Sequence, residues 1–420
     1  MNLQPSAHAG LASTRARRLP NWRHAALLTA LGLAPLVCSA QSQEPVQLGL
    51  LLAKQGFVAE SAIDSANGAL LEIEEHGSKV LGRPIKVVWY DDPNPQGAQQ
   101  NMTRLVEQDK VVAVVGGSTS PSSFAMSAIA ARAKIPTMIV TGSAHELTGS
   151  KCNRYTFRTQ LTADVGSRAL APELMKHGKK WYFVSANYAY GQEVLDTSRK
   201  YLKDHGGTEV GSDLVPNGTT DFSSLILKIR EANPDVVVVG LGGGDVDNFV
   251  KQFAQYGGKA ELGTPLITDS SIWGSGDAAR GLYGKQWHYS DSSNSQDEKN
   301  FVKAWRAKYN DKPPSTGAWQ GWMSMRILLA GIEQAKTTDG PAVAKALESV
   351  KLDGGAMPNY YRAWDHQFIH QIDIARAHPP VAGRDKWDML DIVTKVPSQL
   401  ADVDSIYGSQ EQVGCKLGDF

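Results

Sequence analysis

Residues 112–123 read VAVVGGSTSPSS and decide the fold class, because they join a buried strand to the start of a helix. The run 111–115 is almost continuously apolar, as expected of a strand that is covered on both faces. Gly116 and Gly117 let the backbone approach a neighbouring group closely. Hydroxyl residues then lead to Pro121, a residue that the first turn of a helix accepts. The stretch therefore predicts a strand, a tight loop and a helix in direct succession.

Strand-like and helix-like runs alternate on both sides of this stretch. The strand-like runs of the first half lie at 46–52, 85–90, 111–115 and 137–140, and the helix-like runs between them at 59–75, 97–108 and 122–133. This order implies a parallel sheet with helices on both faces. The same order recurs between residues 163 and 268. We therefore predict an α/β fold of two doubly wound parallel-sheet lobes.

We expect the two lobes to be joined near residue 160. We expect the first lobe to comprise residues 45–160 plus about 290–355. The second lobe is expected to comprise 161–289 plus about 356–420, including a C-terminal extension. The chain turns helical after about 290, and the final segment, rich in Pro, Asp and aromatic residues, is predicted to be irregular.

The loop 116–120 suits an anion, because backbone N–H groups and the helix dipole meet at a helix start. A Walker-type phosphate loop needs a Lys-Ser/Thr pair at its end, and Pro121-Ser122 does not supply it. A carboxylate is the better guest. The alternative is a helix cap at Ser120 that needs no ligand, and the sequence alone leaves the two interpretations open.

The N-terminus predicts export. Four arginines without an acid precede the apolar run Ala25–Val37, and small residues follow, so residues 1–40 are interpreted as a signal peptide cleaved after Ala40. The remainder carries 39 basic against 43 acidic side chains, which gives no indication of a nucleic-acid surface. We expect a periplasmic protein. In an oxidising compartment the two remaining cysteines, Cys152 and Cys415, are expected to form a disulfide.

Two further motifs fit enzyme chemistry poorly. VVVVGLGGGD (236–245) has three glycines spaced two apart, but Asp245 stands where a dinucleotide fingerprint needs its third glycine. RAWDHQFIHQ (362–371) gathers Asp365, His366 and His370, yet it lacks the glutamate of a metalloprotease helix. We therefore predict no catalytic set, no metal and no cofactor.

The strings around these motifs resemble, in consistent order over about residues 45–350, the leucine–isoleucine–valine binding proteins. These are type I periplasmic solute-binding proteins of ABC importers. The matching strings are VLGRPIKVVWYDDPNPQGAQQNMTRLVEQDKVVAVVGG (80–117), IPTMIVTGSAHELTG (135–149), CNRYTFRT (152–159), NYAYGQE (187–193), GTTDFSSLILKIREANPDVVVVG (218–240) and FVKQFAQYG (249–257).

The resemblance implies two lobes on a three-stranded hinge that close on one small ligand. In the family, hydroxyls and backbone amides of the first lobe hold a ligand carboxylate, a tyrosine of the second lobe faces it, and an acid there pairs with the ligand ammonium. The positions implied here are Ser118, Thr119, Ser120, Gly142, Ser143 and Ala144 for the carboxylate, Tyr190 opposite, and Asp245 or Asp269 for the ammonium. The usual second-lobe aromatic falls at a glycine.

Aromatic residues near strand ends are candidates for the walls of the cleft. They are Phe57, Tyr188, Tyr190, Trp273, Trp319 and Trp322.

Three functions remain as hypotheses at this point. The first is a receptor that delivers a small amino acid-like ligand to an ABC permease and its ATPase. The second is a periplasmic ligand sensor on the same fold. The third is a secreted hydrolase that uses Asp365, His366 and His370.

Overall fold

The computed structural model describes residues 44–56 and 58–419. The predicted signal peptide (1–40) and Phe57 lie outside the described residues, so their assignments stay predictions. Within the described part of the chain, no helix is long and apolar enough to cross a membrane.

The strands occur in two long series that are separated by helices. They are β1 (Val46–Leu51), β2 (Lys79–Val80), β3 (Arg83–Tyr90), β4 (Ala113–Gly116), β5 (Thr137–Ile139), β6 (Thr156–Arg158), β7 (Lys180–Ala186), β8 (Thr208–Val215), β9 (Val236–Gly240), β10 (Glu261–Thr264), β11 (Leu282–Lys285), β12 (Lys351–Leu352), β13 (Asn359–Tyr361), β14 (Phe368–Ile369), β15 (Ile372–Ala377) and β16 (Leu390–Val396).

The helices fill the intervals between strands. They are α1 (Ala59–Glu75), α2 (Pro95–Glu107), α3 (Ser120–Ala133), α4 (Ala163–Leu174), α5 (Ala189–Asp204), α6 (Ser223–Ala232), α7 (Gly244–Gln255), α8 (Asp269–Ser275), α9 (Gln296–Lys308), α10 (Thr316–Ala335), α11 (Gly340–Leu347), α12 (Val403–Tyr407) and α13 (Gln410–Val413).

Two sheets form the centres of two lobes, as predicted. The first has the order β2-β3-β1-β4-β5-β6 and is parallel apart from the short edge strand β2. The second has the order β16-β15-β11-β10-β9-β7-β8, with β15 and β16 antiparallel to the rest. Strands such as β4 and β9 are buried throughout, because helices cover both faces of each sheet.

The chain passes between the lobes three times. The crossings lie at residues 159–162, 286–295 and 370–371, between elements that belong to different sheets. Glutamine side chains link the crossings: Gln286 Nε2 donates to the Thr159 carbonyl at 2.6 Å, and Gln367 Nε2 donates to the Gln160 carbonyl at 3.1 Å. This arrangement matches the three-stranded hinge that the resemblance implies.

The C-terminal segment differs from the sequence expectation. It was predicted to be irregular after about residue 350. Instead it forms the small sheet β12-β13-β14 and the neighbouring strands β15 and β16 at one edge of the second sheet. The strands of the small sheet escape detection because they are only two or three residues long. Tyr361 and Phe368, which a division at about 356 assigns to the second lobe, pack in the core of the first sheet.

The disulfide between Cys152 and Cys415 is present, with Cα atoms 5.7 Å apart. This confirms the predicted pairing. It joins the loop before β6 to the end of the chain.

Helices α1 and α10 pack unusually closely, because each has a glycine where they cross. A Cβ atom on Gly68 would lie 1.9 Å from the Ala318 carbonyl oxygen, and one on Gly321 would lie 1.8 Å from that of Ser65. The Ser65 hydroxyl donates to the Gly317 carbonyl at 2.9 Å across the same contact. The crossing therefore has no room for a single methyl group.

Replacing Gly321 with alanine is expected to lower the free energy of unfolding by about 2 kcal/mol, because overpacking outweighs the better helix propensity of alanine. Urea unfolding followed by circular dichroism measures the change. Gly244→Ala is the matched control: it lies at a helix start with no atom within 4 Å of its added methyl group. Equal stability of the two variants would contradict the close packing.

Candidate functional site

A cavity of about 910 Å³ lies between the lobes, at the carboxyl ends of the strands of both sheets. Its walls come from loops that follow strands of both lobes and from the start of α10. The lining residues include Glu60, Ser118, Thr119, Ser120, Thr141, Ser143, Tyr188, Tyr190, Leu241, Gly242, Val246, Asp247, Leu266, Ile267 and Thr316. Among the described lining residues there is no Lys, Arg or His.

The loop 116–120 contributes Ser118, Thr119 and Ser120 to this wall. Ser118 joins three strand ends: its hydroxyl accepts from the Ala53 N–H at 2.8 Å, and its own N–H donates to Asp92 Oδ2 at 2.9 Å. Thr119 caps α3 by accepting from the Ser122 N–H at 3.3 Å. The cap expected at Ser120 therefore lies one residue earlier, which leaves the Ser120 side chain available for another contact.

The second first-lobe loop joins the first one. Ser120 Oγ accepts from the Ala144 N–H at 3.0 Å. A Cβ atom on Gly142 would lie 2.3 Å from Ser123 Oγ, so only glycine allows this approach. Ser143 lines the cavity, whereas Gly142 and Ala144 position it from behind. All six residues implied for the carboxylate therefore lie together.

Two sets of donors at this wall have no partner within the described chain. The backbone N–H groups of Thr119 and Ser120 have no acceptor among the described residues. The buried hydroxyl of Thr141 likewise has no hydrogen-bond partner there. Unpaired donors at a helix start provide a place for an anion.

The second lobe supplies two tyrosines. Tyr190 lines the cavity, and its hydroxyl lies 3.5 Å from the Leu266 carbonyl oxygen. Burial raises the pKa of Tyr190, so its hydroxyl stays protonated. A Cβ atom on Gly242 would lie 2.6 Å from the Tyr188 hydroxyl. Tyr188 therefore occupies the space next to Gly242.

The structure does not bring Asp245 or Asp269 to the cavity wall. Asp245 Oδ2 accepts from the Gly218 N–H at 3.0 Å and helps to hold a second-lobe loop. Asp269 is buried against Lys285, with 2.6 Å between Oδ1 and Nζ, and also accepts from the Thr316 N–H at 2.6 Å. Burial alone would raise the pKa of Asp269, but the charge of Lys285 keeps it below its ordinary value.

Asp247 of the second lobe lines the cavity, although it is not one of the two acids that the sequence resemblance implies. Its Oδ1 is buried and has no hydrogen-bond partner within the described chain. Burial raises the pKa of Asp247 to about 6, against a partly opposing hydrogen bond with Ser271. The only available signal was its place two residues beyond Asp245, in the first turn of a helix that follows a buried strand.

The candidate cleft aromatics divide into two groups. Tyr188 and Tyr190 line the cavity, as described above. Trp319 and Trp322 are about 1% exposed and belong to the core of the first lobe, where Trp319 Nε1 donates to Glu298 at 2.9 Å. Trp273 packs against Trp387, with ring centroids 5.0 Å apart, and is not part of the cavity wall. Trp319 and Trp322 lie at helical spacing on α10 and are both core residues.

The string 362–371 has a packing role. His366 is stacked on Phe157 at 4.0 Å between ring centroids, and Asp365 forms an ion pair with Arg362 at 2.6 Å. Burial lowers the pKa of His370 to about 3. The two histidines flank β14 and do not share a helix face, and none of the three hydrolase candidates lines the cavity.

One group of described residues has the geometry of metal ligands: ligand atoms of His145, Asp164 and Glu193 lie within 4.8 Å of one another. Arg168 already donates to Asp164 Oδ2 at 2.6 Å, and His145 Nδ1 lies 3.5 Å from the same oxygen. Protein cations therefore compensate this carboxylate. The group is a charged contact between the loop before β6 and the second lobe.

Comparisons with known proteins agree with this geometry. The family described as "Periplasmic binding protein" matches residues 45–383. A Leu/Ile/Val-binding protein homolog of Brucella suis is 26% identical over 348 residues, covering 78% of this chain and 87% of that protein. A second such homolog, from Brucella abortus, is 28% identical over 337 residues, covering 77% of this chain and 84% of its own.

Solved structures show the same fold. An amino acid ABC transporter substrate-binding protein from Pseudomonas fluorescens has a TM-score of 0.82 and 24% identity, covering 90% of this chain and 100% of its own. A solute-binding protein from Rhodopseudomonas palustris, solved with 3,4-dihydroxybenzoic acid, has a TM-score of 0.76 and 23% identity, covering 84% of this chain and 97% of its own.

The chain belongs to the periplasmic binding protein family, and within it resembles the branched-chain amino acid group, as the sequence predicts. The family and its ABC-transporter relatives support a solute-binding role.

Asp247 gives the site a testable pH dependence. Its folded-state pKa of about 6 lies above the ordinary value of 3.8, so the folded protein keeps a proton that the unfolded chain releases. Stability from this group is therefore present below about pH 4 and falls as the pH rises to 6. Asp247→Asn should match the native protein at pH 4 and exceed it at pH 8 by about 1 kcal/mol, after allowance for solvent screening.

Urea unfolding of both proteins at the two pH values measures this difference. Asp277→Asn, at an exposed position, is the control for loss of a surface carboxylate. A variant less stable than the native protein at pH 8 would show that Asp247 has a stabilising partner.

Proposed function

We propose that this protein is the periplasmic receptor of an ABC importer and binds a small amino acid or related carboxylate between its lobes. The observation that carries the proposal is the set of unpaired donors in the first-lobe wall: the N–H groups of Thr119 and Ser120 and the hydroxyl of Thr141. Thr119, Ser120 and Thr141 line a cavity of the size that small-molecule sites have.

The ligand carboxylate binds at the start of α3. The helix dipole and the unpaired N–H groups stabilise a negative charge there without a lysine or arginine. Thr141 and Ser143 add hydroxyl donors from the neighbouring loop. The absence of cationic side chains from the described lining favours a single carboxylate over a phosphate, which carries more charge.

The opposite end of the ligand meets the second lobe. Asp247 offers an unpaired carboxylate oxygen, which suits the ammonium of an amino acid. Leu241, Val246, Leu266 and Ile267 supply an apolar wall for its side chain. An amino acid therefore has a partner for each of its three parts.

An aromatic carboxylate is the second candidate. Tyr188 and Tyr190 lie 6.4 Å apart between ring centroids and line the cavity, so they offer aromatic faces to a flat ring. The Rhodopseudomonas palustris relative is described in complex with such an acid. In this case Asp247 would bind a ring hydroxyl or remain protonated.

Binding closes the cleft, because the ligand contacts both lobes and stabilises the conformation in which both contacts form. The closed receptor then delivers the solute to a permease and its ATPase in the inner membrane. The signal peptide predicted at residues 1–40 supports the periplasmic location of this step.

A thermal-shift screen tests the proposal and separates the two ligand classes. L-Leucine, 4-methylpentanoate and benzoate share a carboxylate but differ in their amine and ring. Stabilisation by L-leucine and not by 4-methylpentanoate is expected for an amino acid receptor, whereas benzoate alone would select the second candidate. No stabilisation by any acid of a broad library would overturn the proposed function.

Thr141→Val removes the unpaired hydroxyl while keeping the side-chain shape. Ligand affinity is expected to fall about tenfold, because one hydrogen bond to a charged group is lost, while stability is unchanged or higher. Isothermal titration calorimetry with the acid found in the screen measures the affinity. Thr208→Val, at an exposed position in β8, is the matched control. Unchanged affinity in Thr141→Val would remove this hydroxyl from the site.

A further inference from the structure

The C-terminal segment packs on the second lobe at residues 403–407, and Arg362, in the turn between β13 and β14, donates to the Gly408 carbonyl at 2.9 Å. Val403 and Tyr407 are buried in a core cluster of that lobe together with residues of α4. Arg168 of α4 donates to the Ile406 carbonyl at 2.7 Å. The Tyr407 hydroxyl donates to the carbonyl of His370, next to the third crossing between the lobes, at 2.7 Å.

The same segment is fixed to the first lobe a few residues later. Cys415 is covalently bonded to Cys152, in the loop between β5 and β6. Arg154 Nε, in the same loop, donates to the Gly418 carbonyl at 2.7 Å. This loop belongs to the first lobe, because Asn153 Nδ2 donates to Ser127 of α3 at 2.8 Å.

Residues 409–414, which we name the strap, therefore span from one lobe to the other outside the three crossings. Four of its six residues form α13, which begins with a capping box between Ser409 and Gln412. Unwinding these four residues from a rise of 1.5 Å to about 3.3 Å per residue would add only about 7 Å of reach. Beyond that length the strap resists further separation of its two ends.

We propose that the strap and its disulfide limit how far the two lobes separate in the ligand-free protein. The covalent bond holds one end of the strap, and the packing of Val403 and Tyr407 holds the other. The three crossings act as the hinge, and the strap restricts the opening angle about that hinge. The ligand-free cleft consequently starts nearer to its closed form, and less conformational freedom is lost when a solute closes it.

A charged contact lies beside the strap and acts on the same pair of surfaces. His145, in the same loop as Cys152, approaches Asp164 of α4 to 3.5 Å. Two independent links therefore join this loop to the second lobe, one ionic and one covalent. Only the covalent link persists when solvent or salt weakens the ionic one.

The distance between the cleft rims in the ligand-free, full-length mature protein tests the proposal. Spin labels are attached through non-natural amino acids at Asn94 and Asn217, which line the cavity from opposite lobes, so that the cysteines stay paired. Electron–electron resonance then gives the distribution of distances. Inserting six Gly/Ser residues between Gly408 and Ser409 is expected to extend this distribution by about 5 Å or more, because the strap gains reach.

The insertion keeps the disulfide, so it separates opening from stability. The same six residues inserted after Gly257, in a turn with no atom within 4 Å of its added methyl group, form the matched control and should leave the distances unchanged. The double variant Cys152→Ser/Cys415→Ser is expected to widen the distribution at least as much as the longer strap. Unchanged distances in the strap-lengthened protein would overturn the proposal, whatever the stability of the cysteine variant.

The proposal depends on the hinge and not on the solute that binds. Failure of the ligand screen would overturn the proposed function and leave these distances unaffected. A strap without effect on the distances would leave the ligand screen unaffected.

Discussion

A buried ion pair beneath the cleft fixes the geometry on which the rest of the site depends. Asp269 and Lys285 are almost completely buried, and such a pair forms only when hydrogen bonds offset the loss of water. Thr316 supplies them from its N–H and its hydroxyl. Because these three residues begin α8, end β11 and begin α10, one cluster positions elements of both lobes.

The cavity above this cluster has an uneven distribution of charge. Its first-lobe wall offers unpaired donors at a helix start, and its second-lobe wall offers the unpaired carboxylate of Asp247. Each wall alone carries an unfavourable desolvated group, and a solute with complementary ends would satisfy both at once. Asp269, the acid that pairs with Lys285, is unavailable for this purpose, although the sequence resemblance implies Asp245 or Asp269 for it.

The sequence predicts the two-lobed fold well, since buried strands and amphipathic helices alternate with little interruption from residue 46 to residue 275. It also places the first-lobe loops correctly at strand ends. It does not show that Asp245 and Asp269 lie outside the cavity wall, because their partners are distant in sequence: Gly218 for Asp245, and Lys285 and Thr316 for Asp269. The sequence likewise does not show that Trp319 belongs to the core and not to the cleft.

The glycine crossing of α1 and α10 has a consequence for how the chain folds. The contact between Ser65 and Gly317 joins residues 252 positions apart, so the core of the first lobe stays incomplete until most of the chain is available. Long-range contacts of this kind slow folding, since a large loop must close before they form. A chain that cannot finish its first lobe early stays unfolded for longer after synthesis.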